Sequence, residues 1–238
     1  MEIIPAVLVK NYDELKDKIA LVRGVSPMVQ IDICDGIFVP SVTWPFFARS
    51  TKGVGDDNAL DQHFLNILNE REGMPFWEDI DFELDLMVSD AVENFDIYTK
   101  LGPKRVIFHL EAIKDRENFR EFLEGIDSYT RDAMEIGVAI NPDTNVEEVF
   151  PLVSCTDFIQ IMGISHIGMQ GEEFNIDVLE NIKTLKEKFP EIIISVDGGV
   201  NLTSGEKLKE VGVDRLVSGS AIFSASDIIG KIEEFREL

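Results

Sequence analysis

Cysteine is nearly absent from this sequence, with Cys34 and Cys155 the only two in 238 residues. Two distant thiols exclude a zinc-type cysteine cluster and a disulfide framework, and they suit a reducing compartment. Positive charge is also scarce: 22 Lys plus Arg stand against 45 Asp plus Glu, a formal net charge of −23. Such a surface repels nucleic-acid backbones and anionic lipid, so neither is expected as a partner. A phosphorylated small molecule would have to be held by backbone N–H groups and helix N-termini, because few cations are available. No apolar run approaches the roughly 20 residues of a membrane span. The opening "MEIIPAVLVKNYDELKDK" lacks a basic start followed by an apolar stretch, so no signal peptide and a cytoplasmic location are expected.

What is present reads as an ordinary globular chain, 45% hydrophobic and 28% charged, long enough to bury a large core. Short β-rich runs alternate with helical patterns throughout. Strands are predicted at 2–9, 27–33, 81–88, 105–110, 137–140, 157–162, 191–196 and 214–219. Helices are clearest at 11–25, where Leu15, Ile19 and Val22 recur at helical spacing, and at 175–190 and 224–238. Eight strands each followed by a helix predict a parallel sheet closed into a single (β/α)8 barrel over 1–238. An open doubly wound sheet is the competitor, but no Gly-x-Gly-x-x-Gly follows the first strand. One connection breaks the rhythm, a long insertion between strands 2 and 3 at about 46–80. On a barrel's catalytic face it would be a lid or specificity wall; otherwise it is an extra surface helix. Trp44 and Trp77 flank it and are expected to pack it against the barrel.

Catalytic groups of such barrels project from the C-terminal ends of the strands. Asp32, Asp85 and Asp197 occupy such places, and Asp35 stands before Gly36 as a turn former. A lone aspartate is as often a cap or an ion-pair partner. Asp32 and Asp197, from well-separated strands, form a pair able to face a substrate from opposite sides. Two opposed carboxylates can take a proton beside a carbonyl and return one to the other face. The glycine-bearing turns "VDGGV" (196–200) and "SGSAIF" (218–223) follow the last two strands, where barrels frequently hold a phosphate.

The segments "IIPAVL", "VQIDICDGIFVPSVTW", "DFELDLMV", "VIFHLEA", "AINPDT", "VDGGV" and "GSAIF" together resemble the ribulose-phosphate 3-epimerase family over nearly the whole chain. The resemblance implies a (β/α)8 barrel that interconverts ribulose 5-phosphate and xylulose 5-phosphate through an enediolate, usually with one divalent metal. It places the acid–base pair on Asp32 and Asp197 and the phosphate contacts on Gly198, Gly199, Gly219 and Ser220. Met87 and Met162 keep the family's methionines. It also implies a homo-oligomer, with a dimer expected.

Several positions depart from the family's pattern. Its two metal-binding histidines are replaced by Gln30 and Asp85, a substrate-touching serine by Ala6, and a methionine by Cys34. The loop after strand 6 is rebuilt as "GISHIGMQGEEF" (163–174). The implied ligand set becomes all oxygen, Gln30, Asp32, Asp85 and Asp197, which favours Mg²⁺ or Mn²⁺ over Zn²⁺. Without a cation the carboxylates repel one another and at least one pKa rises, so metal-free acid–base catalysis is also open. His109 is expected to support the pocket, while His63 and His166 are read as surface residues. Three readings remain: an epimerase of ribulose 5-phosphate or another ketose phosphate, a non-catalytic sugar-phosphate-binding barrel, and a lyase. The lyase ranks last because no strand end offers a lysine.

Overall fold

The computed structural model describes residues 1–46 and 60–238. Its strands are β1 Glu2–Val7, β2 Met28–Cys34, β3 Asp81–Met87, β4 Arg105–His109, β5 Glu135–Ile140, β6 Phe158–Met162, β7 Ile193–Asp197 and β8 Arg215–Ser218. They pair in chain order, all parallel, and β1 bonds to β8 to close the barrel. The expected (β/α)8 architecture is the one the chain adopts, with strand ends displaced by only one or two residues.

The helices are α1 Tyr12–Val22, α2 Gln62–Leu68, α3 Phe95–Thr99, α4 Arg116–Gly125, α5 Ser128–Ala133, α6 Val178–Lys188, α7 Leu202–Glu210, α8 Ser220–Phe223 and α9 Ile228–Arg236. Between β5 and β6 a run of 3-10 turns, Val146–Cys155, takes the helix's place and contains Pro151, which has no N–H for an α-helical bond. The closing segment is not the single helix predicted over 224–238. Asp227 accepts the N–H of Gly230 and starts α9 afresh after the short α8, as an N-cap does. None of the described helices is long and apolar enough to cross a membrane.

Successive strand residues point alternately out toward the helices and into the barrel. Outward residues such as Ile31, Leu84, Phe108 and Ile194 join Leu15 and Ile182 of the helices in the main core. Inward residues form separate clusters, one containing Cys34, Met87, Ile107, Phe158 and Met162. Phe158 fills the barrel near the N-terminal ends of its strands because Gly137, its partner on the neighbouring strand, leaves room: a Cβ there would lie 2.3 Å from the ring. Arg215 sits 4.7 Å from the Phe158 ring. At this N-terminal mouth Arg105 meets Glu2, Glu83 and Glu135 at 3.0, 3.1 and 3.2 Å. Arg215 meets Glu2 and Glu135 at 3.3 and 2.7 Å. Burial still pushes Glu83 up to about 7, against the pull of Arg105.

The described part of the insertion carries α2, capped by Asp61. Phe64 packs edge-on to the buried Trp44 at 5.7 Å. His63 stacks on Tyr12 at 4.1 Å and pairs with Glu72 at 2.9 Å, so it is more than a surface residue. Trp77 does not pack the insertion inward as expected. It is 61% exposed, its indole lying over Gly73, where a Cβ would meet Nε1 at 2.7 Å. Most of "STKGVGDDNALD" lies outside the described residues.

Candidate active site

Alternation along β2 turns Gln30, Asp32 and Cys34 into the barrel, and along β3 it turns in Asp85 and Met87. The parallel register sets Asp32 directly beside Asp85. Asp197 ends β7 and lies three strands away from β2 around the barrel, with β8 and β1 between. Even so, one oxygen from each of Asp32, Asp85 and Asp197 lies within 4.8 Å of the others. Gln30, fully buried, spans the gap: its Nε2 donates to Asp32 Oδ1 at 2.9 Å and to Asp197 Oδ2 at 2.7 Å. The two acids that the sequence set on separate parts of the rim therefore meet at one side-chain amide.

Burial, then the charges of Asp197 and Asp85, holds the Asp32 carboxyl well above the usual carboxylate range. Burial, then Asp85, pushes Asp197 up to about 7, against the Gln30 hydrogen bond. Low dielectric and mutual repulsion disfavour several negative charges in one place. Asp85 is anchored by His109 Nε2 at 2.7 Å, and the Gln160 amide approaches its other oxygen at 3.4 Å. Burial alone would lower the His109 pKa, but the charge and hydrogen bond of Asp85 raise it above its ordinary value. His109 thus supports the pocket as expected, acting through Asp85. Ser195 donates to Gln160 Oε1 at 3.1 Å and extends the network. The sequence reading missed Gln160 and Ser195; the available signal was alternation, since each stands two residues before an inward pocket residue, Met162 or Asp197.

Above the acids lies a cavity lined by Ala6, Asp32, Met87, Met162 and Asp197. Gly198, Gly199, Gly219 and Ser220 line its other wall, so the two glycine-bearing turns face the acid pair. Gly199 has φ +66, and a Cβ there would lie 2.6 Å from Phe174 Cα. Only glycine suits that backbone and that approach. The loop 163–174 closes over this wall. Gly163 donates its N–H to the carbonyl of Asp197 at 2.6 Å, and a Cβ on Gly163 would lie 2.3 Å from the Gly198 carbonyl oxygen. Ser41 donates to the carbonyl of Gly168. His166 is exposed and pairs with Glu172 at 3.0 Å, consistent with the surface reading. Among the described residues, none of the insertion lines this cavity.

Asp35 is the expected turn former. Its Oδ1 accepts the N–H groups of Ile37 and Phe38, and its Oδ2 accepts Ser89 N–H and O–H. Burial would raise its pKa, but the backbone donors of Ser89, Ile37 and Phe38 hold it below the ordinary value.

The donor set can be tested against a divalent ion. Three buried carboxylates converging within 4.8 Å form an oxygen-only set that fits a hard cation. Gln30 presents its N–H₂, not its oxygen, to the acids, and its Oε1 is buried without a hydrogen-bond partner. The carboxylates fit as they stand, and Gln30 would join them only with its amide turned over.

Taken together, the closed parallel barrel, the carboxylate trio at its C-terminal face and the facing glycine turns define a (β/α)8 barrel with an acid site opposite a glycine-lined wall. The profile of the ribulose-phosphate 3 epimerase family matches residues 2–223, and the chain belongs to that family. It is 27% identical over 229 residues to the cytoplasmic isoform of ribulose-phosphate 3-epimerase from Oryza sativa subsp. japonica, covering 95% of this chain and 89% of that one. To the ribulose-phosphate 3-epimerase of Bacillus subtilis it is 26% identical over 243 residues, covering 99% and 98%. Among solved structures, KGPDC from Streptococcus mutans in complex with D-R5P superposes with a TM-score of 0.68. That pair shares 15% identity over 99% of this chain and 95% of the other, a likeness of fold.

Proposed function

We propose that the chain epimerises a ketose phosphate at the carbon beside its ketone, with D-ribulose 5-phosphate and D-xylulose 5-phosphate as the default pair. The observation that carries this reading is the Gln30 amide joining Asp32 to Asp197 at 2.9 and 2.7 Å, beside the glycine turns. One ionised aspartate takes the proton from carbon 3, and the electron pair moves onto the carbonyl oxygen to give an enediolate. The other, held protonated by burial and by its acidic neighbours, delivers a proton to the opposite face. Gln30 donates to both carboxylates and fixes their orientation. Met87 and Met162 keep water from the reacting carbon, and Gly198, Gly199, Gly219 and Ser220 offer backbone N–H groups to the phosphate.

Asp32, Asp85 and Asp197 would hold one Mg²⁺ or Mn²⁺, which would supply positive charge against the developing oxyanion. The direct Gln30 bridge favours a second reading, in which the same proton transfer proceeds without an ion. The family membership and the 24–28% identities to named epimerases support the reaction class. A cytoplasmic homo-oligomer, with no nucleic-acid or membrane partner, completes the proposal.

The test is incubation with D-ribulose 5-phosphate in D₂O, after EDTA and again with Mn²⁺ or Mg²⁺. Deuterium at carbon 3 together with xylulose 5-phosphate is the expected result. Restoration by the ion assigns the oxygen site to a metal, and activity surviving EDTA assigns the metal-free path. No exchange under any condition removes the pentose epimerase reading.

Charge gives a second expectation. No Lys, Arg or His lines the cavity among the described residues, and the chain carries −23. A phosphate dianion must approach against this field, so KM should fall by roughly severalfold as NaCl rises from about 0.01 to 0.15 M. Steady-state kinetics at fixed pH would read this, and a KM that rises with salt would point to a cationic entry.

A further inference from the structure

Gly219 adopts φ −97, which any residue can reach, so its backbone does not call for glycine. Its neighbours do. A Cβ at this position would lie 2.6 Å from Gln170 Nε2 and 3.1 Å from the Ala6 carbonyl oxygen. The Gln170 amide nitrogen is therefore seated against the strand-8 turn, at the wall where Gly198, Gly199 and Ser220 also face the cavity. Among the described residues, no hydrogen-bond acceptor is found for that side chain, and its N–H groups are free for a ligand. The cavity's charged lining residues are Asp32, Asp197 and Glu172, all acids. An anion entering here meets carboxylates on two sides and, apart from backbone N–H groups, few donors.

Resting on the epimerase reading for its substrate, we propose that Gln170 is a binding residue for the substrate's phosphate. Its side-chain amide donates to a phosphate oxygen beside Gly219 and supplies neutrally what a lysine or arginine would supply elsewhere. An amide is suited to this place. It adds donors without a positive charge that the nearby Glu172 and the acid pair would draw away from the phosphate, and hydrogen bonds to an ionised oxygen are the stronger kind. Loop 163–174 is held before Gln170 by the Ser41 hydroxyl on the Gly168 carbonyl, and after it by the Asn175 N–H on the Gly163 carbonyl at 2.8 Å, so the amide's position is set from both sides. The loop thereby acts in holding the phosphate, while Asp32 and Asp197 act on the proton.

The test compares wild type, Gln170→Ala and Gln170→Glu in two measurements: steady-state kinetics with D-ribulose 5-phosphate, and titration with inorganic phosphate by calorimetry. Gln170→Ala is expected to weaken phosphate binding and raise KM by about tenfold, with kcat within about twofold. Gln170→Glu has the same shape but turns an acceptor toward the phosphate, so it should do more damage than alanine. A packing role predicts the reverse order, because the isostere would preserve the contact. Thermal unfolding of each variant checks that the barrel is intact. Phosphate affinity and KM unchanged in both variants would overturn the proposal, as would wild type that binds no inorganic phosphate. If wild type binds phosphate with the expected variant order but exchanges no deuterium, Gln170 stands and the epimerase reading falls.

Discussion

Asp32→Asn and Asp197→Asn are each expected to lower epimerisation by roughly 10²–10⁴-fold, the usual worth of a positioned acid or base. Asparagine keeps an oxygen that can accept the Gln30 N–H, so the bridge at 2.9 or 2.7 Å survives and folding is spared. The more telling result lies in the exchange pattern. In the proposed scheme each epimer presents its carbon-3 proton to one of the two acids. A variant lacking one acid should still exchange the proton of one epimer with D₂O while failing to convert it. Asp32→Asn and Asp197→Asn should therefore label opposite epimers, read by NMR of each pure sugar phosphate. If both variants label the same epimer, one acid does all the proton transfer and the two-acid scheme is wrong.

A large effect is also expected on stability. Asp32, Asp197 and Glu83 have folded pKa values raised above their unfolded ones, Asp197 and Glu83 to about 7. His109 is raised as well. The folded state then binds more protons than the unfolded state, so stability falls as pH rises through the folded pKa values. All four groups act in the same direction between about pH 5 and 8. Shifts of this size amount to a few kcal/mol, or about 10 °C in Tm for a chain of this length. Calorimetric melting in EDTA should show Tm falling from pH 5 to pH 8. Added Mg²⁺ or Mn²⁺ should restore it mainly at pH 8, where the carboxylates are ionised. A Tm that rises over that range would mean that the acids ionise freely in the fold.

The barrel was legible because parallel strands buried on both faces read as short β-branched runs such as Val29–Ile33 and Ile192–Val196, set at even intervals. Short helices α3 and α5 escaped because five or six residues carry less than two turns of periodicity. The acids Asp32, Asp85 and Asp197 were visible as polar residues at strand ends. The side-chain bonds among them were not, because a partner 167 positions away, as Gln30 is from Asp197, leaves no local trace. Gln30 looked like an oxygen ligand by its place in the pattern, and only the fold shows its nitrogen facing both acids. Gln170 was passed over for a related reason, since its importance comes from the glycine it touches on another strand's turn.

The contact between Gly163 and Asp197 bears on how such an enzyme could change its diet. The loop proposed to frame the phosphate end of the substrate is hooked by one N–H to the backbone of Asp197, the aspartate proposed to transfer a proton, at 2.6 Å. A side chain on Gly163 would press on the Gly198 carbonyl at 2.3 Å. Loop changes that admit a longer or shorter sugar would therefore also tilt that aspartate. Selection for a new substrate would first show itself as slower chemistry on the old one, and recovery would have to come through β7 as well as through the loop.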